Sequence, residues 1–272
     1  MGKTTKDKRD VYYRKAKEEG LRARSAFKLL QIDLKFDIFK SHVTNVLDLC
    51  AAPGGWSQVV SKKLLKENYQ DVKIVAVDLQ PMAPLPGVIQ IQDDITKPST
   101  INRILSHFNG CKVDLILCDG APDVIGLMPM DVNIQIQLLI DGIKIAHKVL
   151  KKGGNFVAKI YRGKTTATVT SQLSQLFKEV VIAKPTCSRN SSIEAFVVCL
   201  NYTPSENTSS LQINQFLSKD ELNKTPFVAC GEYNAFDADA TYELQLADEE
   251  LYQYREPVQS PIAPPYCLSN AK

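Results

Sequence analysis

Between residues 45 and 200 the chain alternates short apolar runs with amphipathic stretches, so strands and helices take turns. Val46, Leu47 and Leu49 predict a first strand, and Lys73-Ile-Val-Ala-Val-Asp78 a second. Val88-Ile-Gln-Ile91 is shorter, while Val113-Asp-Leu-Ile-Leu-Cys118 is apolar almost throughout. Asn155-Phe-Val-Ala-Lys-Ile160, Val180 to Ala183 and Glu194-Ala-Phe-Val-Val-Cys-Leu200 complete seven strands. Helices are expected from Trp56 through Leu64, over 131–150 and from Thr168 to Phe177, the second closed by Lys151-Lys-Gly-Gly154. Ahead of them, a helix over 11–19 ends at Gly20. Another runs from Ser25 to Leu34, with Phe27, Leu30 and Leu34 spaced for a buried stripe. The pattern predicts an α/β fold of Rossmann-like architecture: a mostly parallel seven-stranded sheet with helices on both faces.

Past residue 203 the alternation stops. Thr203 to Leu217 is polar and reads as a linker. Pro226-Phe-Val-Ala-Cys-Gly-Glu-Tyr-Asn-Ala-Phe236, Tyr252-Gln-Tyr254 and the Pro-rich stretch from Pro257 are too aromatic for a pure spacer. They are too few to form a core, and predict a strap lying on the domain or on a partner. A chain of 272 residues suits one α/β domain with such an appendage. No run approaches the length of a membrane span, and Met1 to Lys8 are polar, so no membrane partner is expected. Seven cysteines without a C-x-x-C pair point to a reduced, cytoplasmic, metal-free protein.

The net charge of +3 is unevenly spread. Residues 1–24 carry nine Lys/Arg against four Asp/Glu, whereas 203–272 carry four against eleven. A basic arm suits a polyanion such as RNA. Lys6, Lys8, Arg9, Arg14, Lys15, Arg22 and Arg24 are its candidate phosphate contacts, with Tyr12 or Tyr13 available to stack on a base. A solvated helix face would show the same run of charge.

The stretch Asn45-Val-Leu-Asp-Leu-Cys-Ala-Ala-Pro-Gly-Gly-Trp-Ser-Gln-Val59 runs from a buried strand through small residues into a helix. Gly54 and Gly55 lack a Cβ, so a ligand could lie against the backbone, facing the first amides of the helix. Neither the dinucleotide fingerprint nor the phosphate loop is present. Asp48 beside the glycines repels a pyrophosphate but suits a ligand with an amino group or sulfonium, such as S-adenosylmethionine; a plain ligand-free turn is the alternative. Asp78, Asp94 and Asp119 fall at or just past other strand ends, where ligands of parallel sheets bind. Asp78 is placed for a ribose diol and Asp94 for an adenine amino group, though each also suits a helix N-cap.

Four charged residues stand in apolar surroundings: Lys28, Asp119, Lys159 and Glu194. Lys159, flanked by Phe156, Val157, Ala158 and Ile160, must point at the ligand edge or be poorly buried, unless its head reaches water.

The motifs Arg24-Ser-Ala-Phe-Lys-Leu29, Asp48-Leu-Cys-Ala-Ala-Pro-Gly-Gly-Trp-Ser-Gln58, Val77-Asp-Leu79, Asp119-Gly-Ala-Pro122, Val157-Ala-Lys-Ile160 and Ser188-Arg-Asn-Ser-Ser-Ile-Glu-Ala195 resemble the FtsJ/RrmJ family. These are RNA 2′-O-ribose methyltransferases that use S-adenosylmethionine and release S-adenosylhomocysteine. The resemblance covers residues 1–202 and implies a catalytic tetrad at Lys28, Asp119, Lys159 and Glu194. It places cofactor contacts on Gly54, Trp56, Asp78, Asp94 and Asp119, within a candidate site that also takes in Asp48, Ala52, Pro53, Gly55, Leu79 and Ile95. The chain then divides into a basic arm and helix (1–24), a methyltransferase domain (25–202) and an acidic extension (203–272).

Asp7-Lys-Arg-Asp-Val-Tyr-Tyr-Arg-Lys-Ala-Lys17, Pro226-Phe-Val-Ala-Cys-Gly231 and Pro261-Ile-Ala-Pro-Pro-Tyr266 resemble the family's eukaryotic tRNA branch. That branch methylates ribose at anticodon-loop positions 32 and 34, and the resemblance implies tRNA as partner, with separate helical-repeat and WD-repeat subunits. Ribosomal RNA or a messenger cap as substrate, or a silent scaffold of the same fold, are the competing readings. For the chemistry, Lys159 acts either as a neutral base, against an ordinary lysine pKa of about 10.4, or as a charged stabiliser of the incipient alkoxide.

Overall fold

The computed structural model describes residues 10–40, 42–66, 71–121, 128–204, 225–232, 234–242 and 258. Helix α1 (Val11–Glu18) starts at Asp10, whose carboxylate accepts from the Tyr13 amide, and ends before Gly20 in a left-handed turn. Helix α2 spans Ala26–Phe36. The alternating series follows as β1 (Asn45–Leu49), α3 (Gly55–Lys66), β2 (Lys73–Asp78), β3 (Val88–Gln92), α4 (Pro98–His107) and β4 (Val113–Cys118). It continues with α5 (Met128–Val149), β5 (Leu150–Tyr161), α6 (Thr166–Ser174), β6 (Phe177–Pro185), β7 (Glu194–Tyr202) and β8 (Phe227–Cys230).

The strands form one sheet in the order β3-β2-β1-β4-β5-β7-β6-β8. The five strands from β3 to β5 are parallel, and β7 runs antiparallel to both β5 and β6. Chain order reverses between β1 and β4, the crevice where parallel sheets bind ligands. Side chains alternate across the sheet. Leu47, Leu49, Val75, Val77, Ile116 and Phe156 enter the core under α4, α5 and α6. Val46, Ile74, Leu115, Leu117, Val157 and Phe196 enter the other core with Leu29 and Ile32 of α2 and Val59, Val60 and Leu64 of α3. By the same alternation Asp48 and Lys159 point towards the α2–α3 face, charged groups in otherwise apolar rows of β1 and β5.

The structure differs from expectation in five places, one of them helix α4 (Pro98–His107), which none of the expected helices covers. An eighth strand is present, because Phe227–Cys230 adds to β6 in parallel register, Ile182 opposite Phe227 and Pro185 opposite Cys230. This part of the extension therefore lies on the domain. Leu34 is 62% exposed, since the stripe of α2 that turns inward is Ala26, Leu29 and Ile32. Lys151 to Gly154 do not close α5; they belong to β5, which begins at Leu150. Helix α6 stops at Ser174, and β6 takes over Phe177, which packs against Phe156 and Tyr202. The linker at 205–217, Tyr252 to Tyr254 and Pro261 to Tyr266 lie outside the described residues.

Candidate active site

Two features of the sheet bring the four predicted charged residues together. In the antiparallel pair β5·β7, Lys159 stands opposite Phe196 and Tyr161 opposite Glu194, so Lys159 and Glu194 are diagonal neighbours on one face. Asp119 follows directly on β4, whose Cys118 pairs with Ala158 of β5. The Lys159 ammonium lies 2.7 Å from Asp119 Oδ1 and 3.7 Å from Glu194 Oε2, and donates to the Asp119 backbone carbonyl at 3.0 Å. From α2, Lys28 reaches the other Glu194 oxygen at 2.6 Å, while its ammonium sits 5.8 Å from the Phe196 ring centre. Lys28, Asp119, Lys159 and Glu194 thus form one chain of alternating charge.

Lys159 is 8% exposed. Burial alone would discharge it, but the carboxylates of Asp119 and Glu194 outweigh that cost and hold its pKa above the ordinary lysine value. For Glu194 burial favours the neutral acid, yet Lys28 and Lys159 prevail and hold its pKa well below the usual carboxylate range. At neutral pH both Lys159 and Glu194 are therefore charged.

Three residues that sequence reasoning left without a role support it. Ser188 Oγ donates to Glu194 Oε1 at 3.0 Å. Gln135, buried in α5, donates to the Lys159 carbonyl at 2.5 Å and accepts from the Tyr161 amide at 3.2 Å, pinning the β5 backbone around the lysine. Ser57 Oγ donates to Asp48 Oδ2 at 2.5 Å. Of the three, Gln135 alone carried a signal, as a polar position inside an otherwise apolar helix face.

The glycine turn lies beside this cluster. A cleft lined by Ser25, Asp48, Cys50, Ala52, Trp56 and Asp119 opens between the ends of β1 and β4. Asp48 is fully buried, and its Oδ1 has no hydrogen-bond partner among the described residues. Burial raises its pKa to about 7, against the lowering effect of the Ser57 hydroxyl. An unsatisfied carboxylate oxygen facing a cleft fits a ligand with an ammonium group. Asp78, whose pKa burial also raises, accepts from the Ala52 amide at 2.8 Å and the Gln80 amide at 2.8 Å, and each oxygen retains a lone pair for a hydroxyl. It borders a second hollow, lined also by Gln80, Pro81, Met82, Gln90 and Gln92. Leu79 beside it is 65% exposed, an apolar surface for a flat ring. Asp94 Oδ1 accepts from the amide and hydroxyl of Thr96, so it closes its own turn, while Ile95 is buried.

Gly55 lines the cleft, and both glycines also make room for the protein itself. A Cβ on Gly54 would come within 2.9 Å of Arg22 Nη1, and one on Gly55 within 3.2 Å of Ala23 Cβ and Ser25 Oγ. Their bareness lets the segment before α2 lie over the turn, which includes a cis Ala52–Pro53 peptide. Trp56 Nε1 donates to the Ser25 carbonyl at 2.9 Å, tying α3 to the start of the helix that carries Lys28.

The expected RNA arm divides. Lys6, Lys8 and Arg9 lie outside the described residues. Tyr12 is 4% exposed and donates to the Phe236 carbonyl at 2.9 Å, so it is not available to stack on a base. Arg14 donates to the Tyr242 carbonyl, and Arg24 to the Cys187 carbonyl and the Asp10 carboxylate. Arg22 donates to the carbonyls of Pro53, Ala83 and Pro84, bridging the glycine turn and the loop after β2. These three arginines are held by the protein itself, because each reaches a carbonyl contributed by a distant part of the chain. Lys15 lies 4.2 Å from the Phe236 ring centre, and Tyr13 is half-buried under the Lys17 ammonium.

The sequence pattern of the FtsJ-like methyltransferases matches residues 21–202, which include the tetrad and the glycine turn. The chain belongs to this family. It is 54% identical to the mouse tRNA (cytidine(32)/guanosine(34)-2′-O)-methyltransferase, over 98% of this chain and 85% of the mouse protein. Against the fission-yeast protein of that name the identity is 48%, over 98% of this chain and 95% of the other. A crystal structure from Plasmodium falciparum described as a ribosomal RNA methyltransferase superposes with a TM-score of 0.61 at 28% identity, covering 68% of this chain and all of that one. As an FtsJ-like protein the chain has the methyltransferase fold, and helix α1 and strand β8 lie outside the family match. Among the described residues, no helix is long and apolar enough to cross a membrane.

Proposed function

We propose that this chain transfers a methyl group from S-adenosylmethionine to ribose 2′-hydroxyls of the tRNA anticodon loop, at positions 32 and 34. Near-full-length similarity to proteins named for that reaction supports the substrate. The Lys28–Glu194–Lys159–Asp119 chain beside a cleft with an unsatisfied buried carboxylate carries the chemistry.

The donor supplies an electrophilic methyl group on a positively charged sulfur. Asp48 is the residue to hold its ammonium, Asp78 its ribose hydroxyls and Leu79 one face of its adenine. Asp94, already turned towards Thr96, retains lone pairs for an adenine amino group. Lys159 performs the step on the acceptor side. As a held cation at the sheet edge, it donates a hydrogen bond to the 2′-oxygen and stabilises the negative charge that grows there. Between the two readings of Lys159, the charged one is favoured: with both carboxylates in place its ammonium has no lone pair to take the hydroxyl proton, which leaves to solvent. Lys28 keeps Glu194 ionised and turned towards Lys159, and completes a positive edge for the RNA backbone.

In this reading the enzyme is cytoplasmic, and separate helical-repeat and WD-repeat subunits direct it to one nucleotide or the other. The test is methylation of unmodified tRNA transcripts by the purified chain with and without such subunits, mapping 2′-O-methyl groups by their resistance to alkaline cleavage. Protection after nucleotides 32 and 34 is expected. Methylation of a ribosomal RNA fragment but no tRNA would overturn the substrate, and donor binding without any methylation would overturn the activity.

A further inference from the structure

The family match covers residues 21–202, yet the described chain on both sides of it converges on one loop. Helix α1 and residues 234–242 pack on each other. Tyr12 donates to the Phe236 carbonyl, Arg14 to the Tyr242 carbonyl, and Ala238 is buried in a cluster with Val11, Tyr12 and Cys187. Cys187 belongs to the connection 186–193, which links β6 to β7 and delivers Glu194 to the tetrad.

That connection is too long for a hairpin turn to dictate its shape, so its conformation depends on outside contacts. The extension provides several. The Thr186 amide donates to the Cys230 carbonyl at 2.8 Å. Gly231 follows with φ +147°, so close that a Cβ there would lie 2.2 Å from Thr186 Oγ1. The Asn190 amide donates to Asp239 Oδ2 at 2.5 Å, and Asn190 Nδ2 to Asp237 Oδ1 at 3.4 Å. From the other side Asp10, at the start of α1, takes Arg189 Nη2 at 3.2 Å. Between these anchors sits Ser188, 3% exposed, with its hydroxyl on Glu194.

We infer that residues 234–242 form a strap that positions Glu194 for methyl transfer through the 186–193 connection, with Asp239 its principal positioning residue. The inference rests on the methyl-transfer reading above. Asp119 and Glu194 together hold the place and charge of Lys159, so a connection that relaxes by a fraction of an ångström shifts the Glu194 side of that hold and misplaces the ammonium at the reacting oxygen. Asp239 is exposed and contributes no apolar core, so its loss acts on the connection and not on the sheet.

The experiment compares Asp239→Ala and Asp239→Asn in the full chain, alone and combined with Glu194→Gln. Asp239→Ala is expected to lower the single-turnover rate of methyl transfer to tRNA by roughly tenfold, with donor affinity and thermal midpoint unchanged. Asp239→Asn keeps the acceptor oxygen and is expected to restore the rate. In the Glu194→Gln background Asp239→Ala should add nothing, because both changes act on the same group. A tenfold loss in both backgrounds, or full activity of Asp239→Ala beside an active wild type, overturns the strap. A wild type that methylates no RNA counts against the proposed activity instead. The strap is then judged by hydrogen exchange of the 188–194 amides, which should quicken about tenfold in Asp239→Ala and overturns the proposal if it does not.

Discussion

Lys159 and Asp119 meet twice: the ammonium lies 2.7 Å from the carboxylate Oδ1 and donates to the same residue's carbonyl at 3.0 Å. A lysine held by both groups of one aspartate has little freedom to swing and strong reason to stay charged. Glu194, 3.7 Å away on its other side, adds to the hold.

The charge of Lys159 predicts the pH dependence of the chemical step. Its pKa is raised, so the charged form persists below and well past the ordinary lysine value, and is lost only as pH climbs above it. The single-turnover rate is therefore expected to stay flat between about pH 6.5 and 9. A rate rising tenfold per pH unit across that range would count against this reading. Lys159→Met should abolish transfer by roughly 10³-fold while leaving donor binding intact.

How much of this is legible in the sequence depends on the range of the interaction. The parallel half of the sheet can be read because each strand is a continuous apolar run, and its ends fall at Asp48, Asp78 and Asp119. The four charged residues stand out because charge interrupts apolar rows at Lys159 and Glu194, and the structure brings those four together. Strand β8 escapes because four residues, Phe227–Cys230, carry too little pattern to separate a strand from a strap. Tyr12, Arg14 and Arg24 read as RNA contacts because local charge says nothing of carbonyls that lie 224, 228 and 163 residues away in the chain. The glycines read as room for a ligand; Gly55 lines the cleft, but the missing side chains of Gly54 and Gly55 also leave room for Arg22 and Ala23. No local pattern distinguishes the two.

Asp48 predicts a trade between stability and binding. Its folded pKa of about 7 stands above the ordinary value, so ionising it costs the folded state. That cost is absent at pH values below about 4, grows as pH rises and is complete a little above the folded pKa. Asp48→Asn keeps an acceptor for Ser57 and should raise stability at about pH 8 by on the order of 2 kcal/mol, with a smaller gain at about pH 5. Donor affinity should fall at least roughly tenfold, since the ligand's ammonium loses its counter-charge. Urea titrations at both pH values and equilibrium dialysis of the labelled donor measure the two effects; unchanged donor affinity would remove Asp48 from the site.

Glu194 predicts the acid limb. Its folded pKa is depressed, so it contributes stability that is complete above the ordinary carboxylate value and is lost as pH falls through the folded one. Glu194→Gln takes the paired carboxylate from Lys28 and leaves Lys159 with Asp119 alone, and is expected to cost about 3 kcal/mol at neutral pH. The difference from wild type should narrow steadily between about pH 5 and 2 as the wild-type carboxylate protonates. A constant difference across that range would mean that the residue contributes by packing alone.

Trp56 links the two halves of the site and predicts a remote effect on chemistry. Its indole is buried at 2% exposure against Phe196, ring centres 5.5 Å apart, and its Nε1 holds the Ser25 carbonyl. Ser25 directly precedes α2, whose first turn carries Lys28, so the start of α3 also sets the position of the lysine that holds Glu194. Trp56→Phe keeps most of the apolar contact but strips the Ser25 carbonyl of its donor, a loss of about 1–3 kcal/mol. The start of α2 should loosen, and the single-turnover rate should fall by roughly tenfold, more than any change in donor affinity. The comparison to make is with Val60→Ala, a buried α3 position in the same core beneath α2 and α3, which should lose stability without a matching loss of rate. Equal rate losses in the two variants would reduce Trp56 to a packing residue.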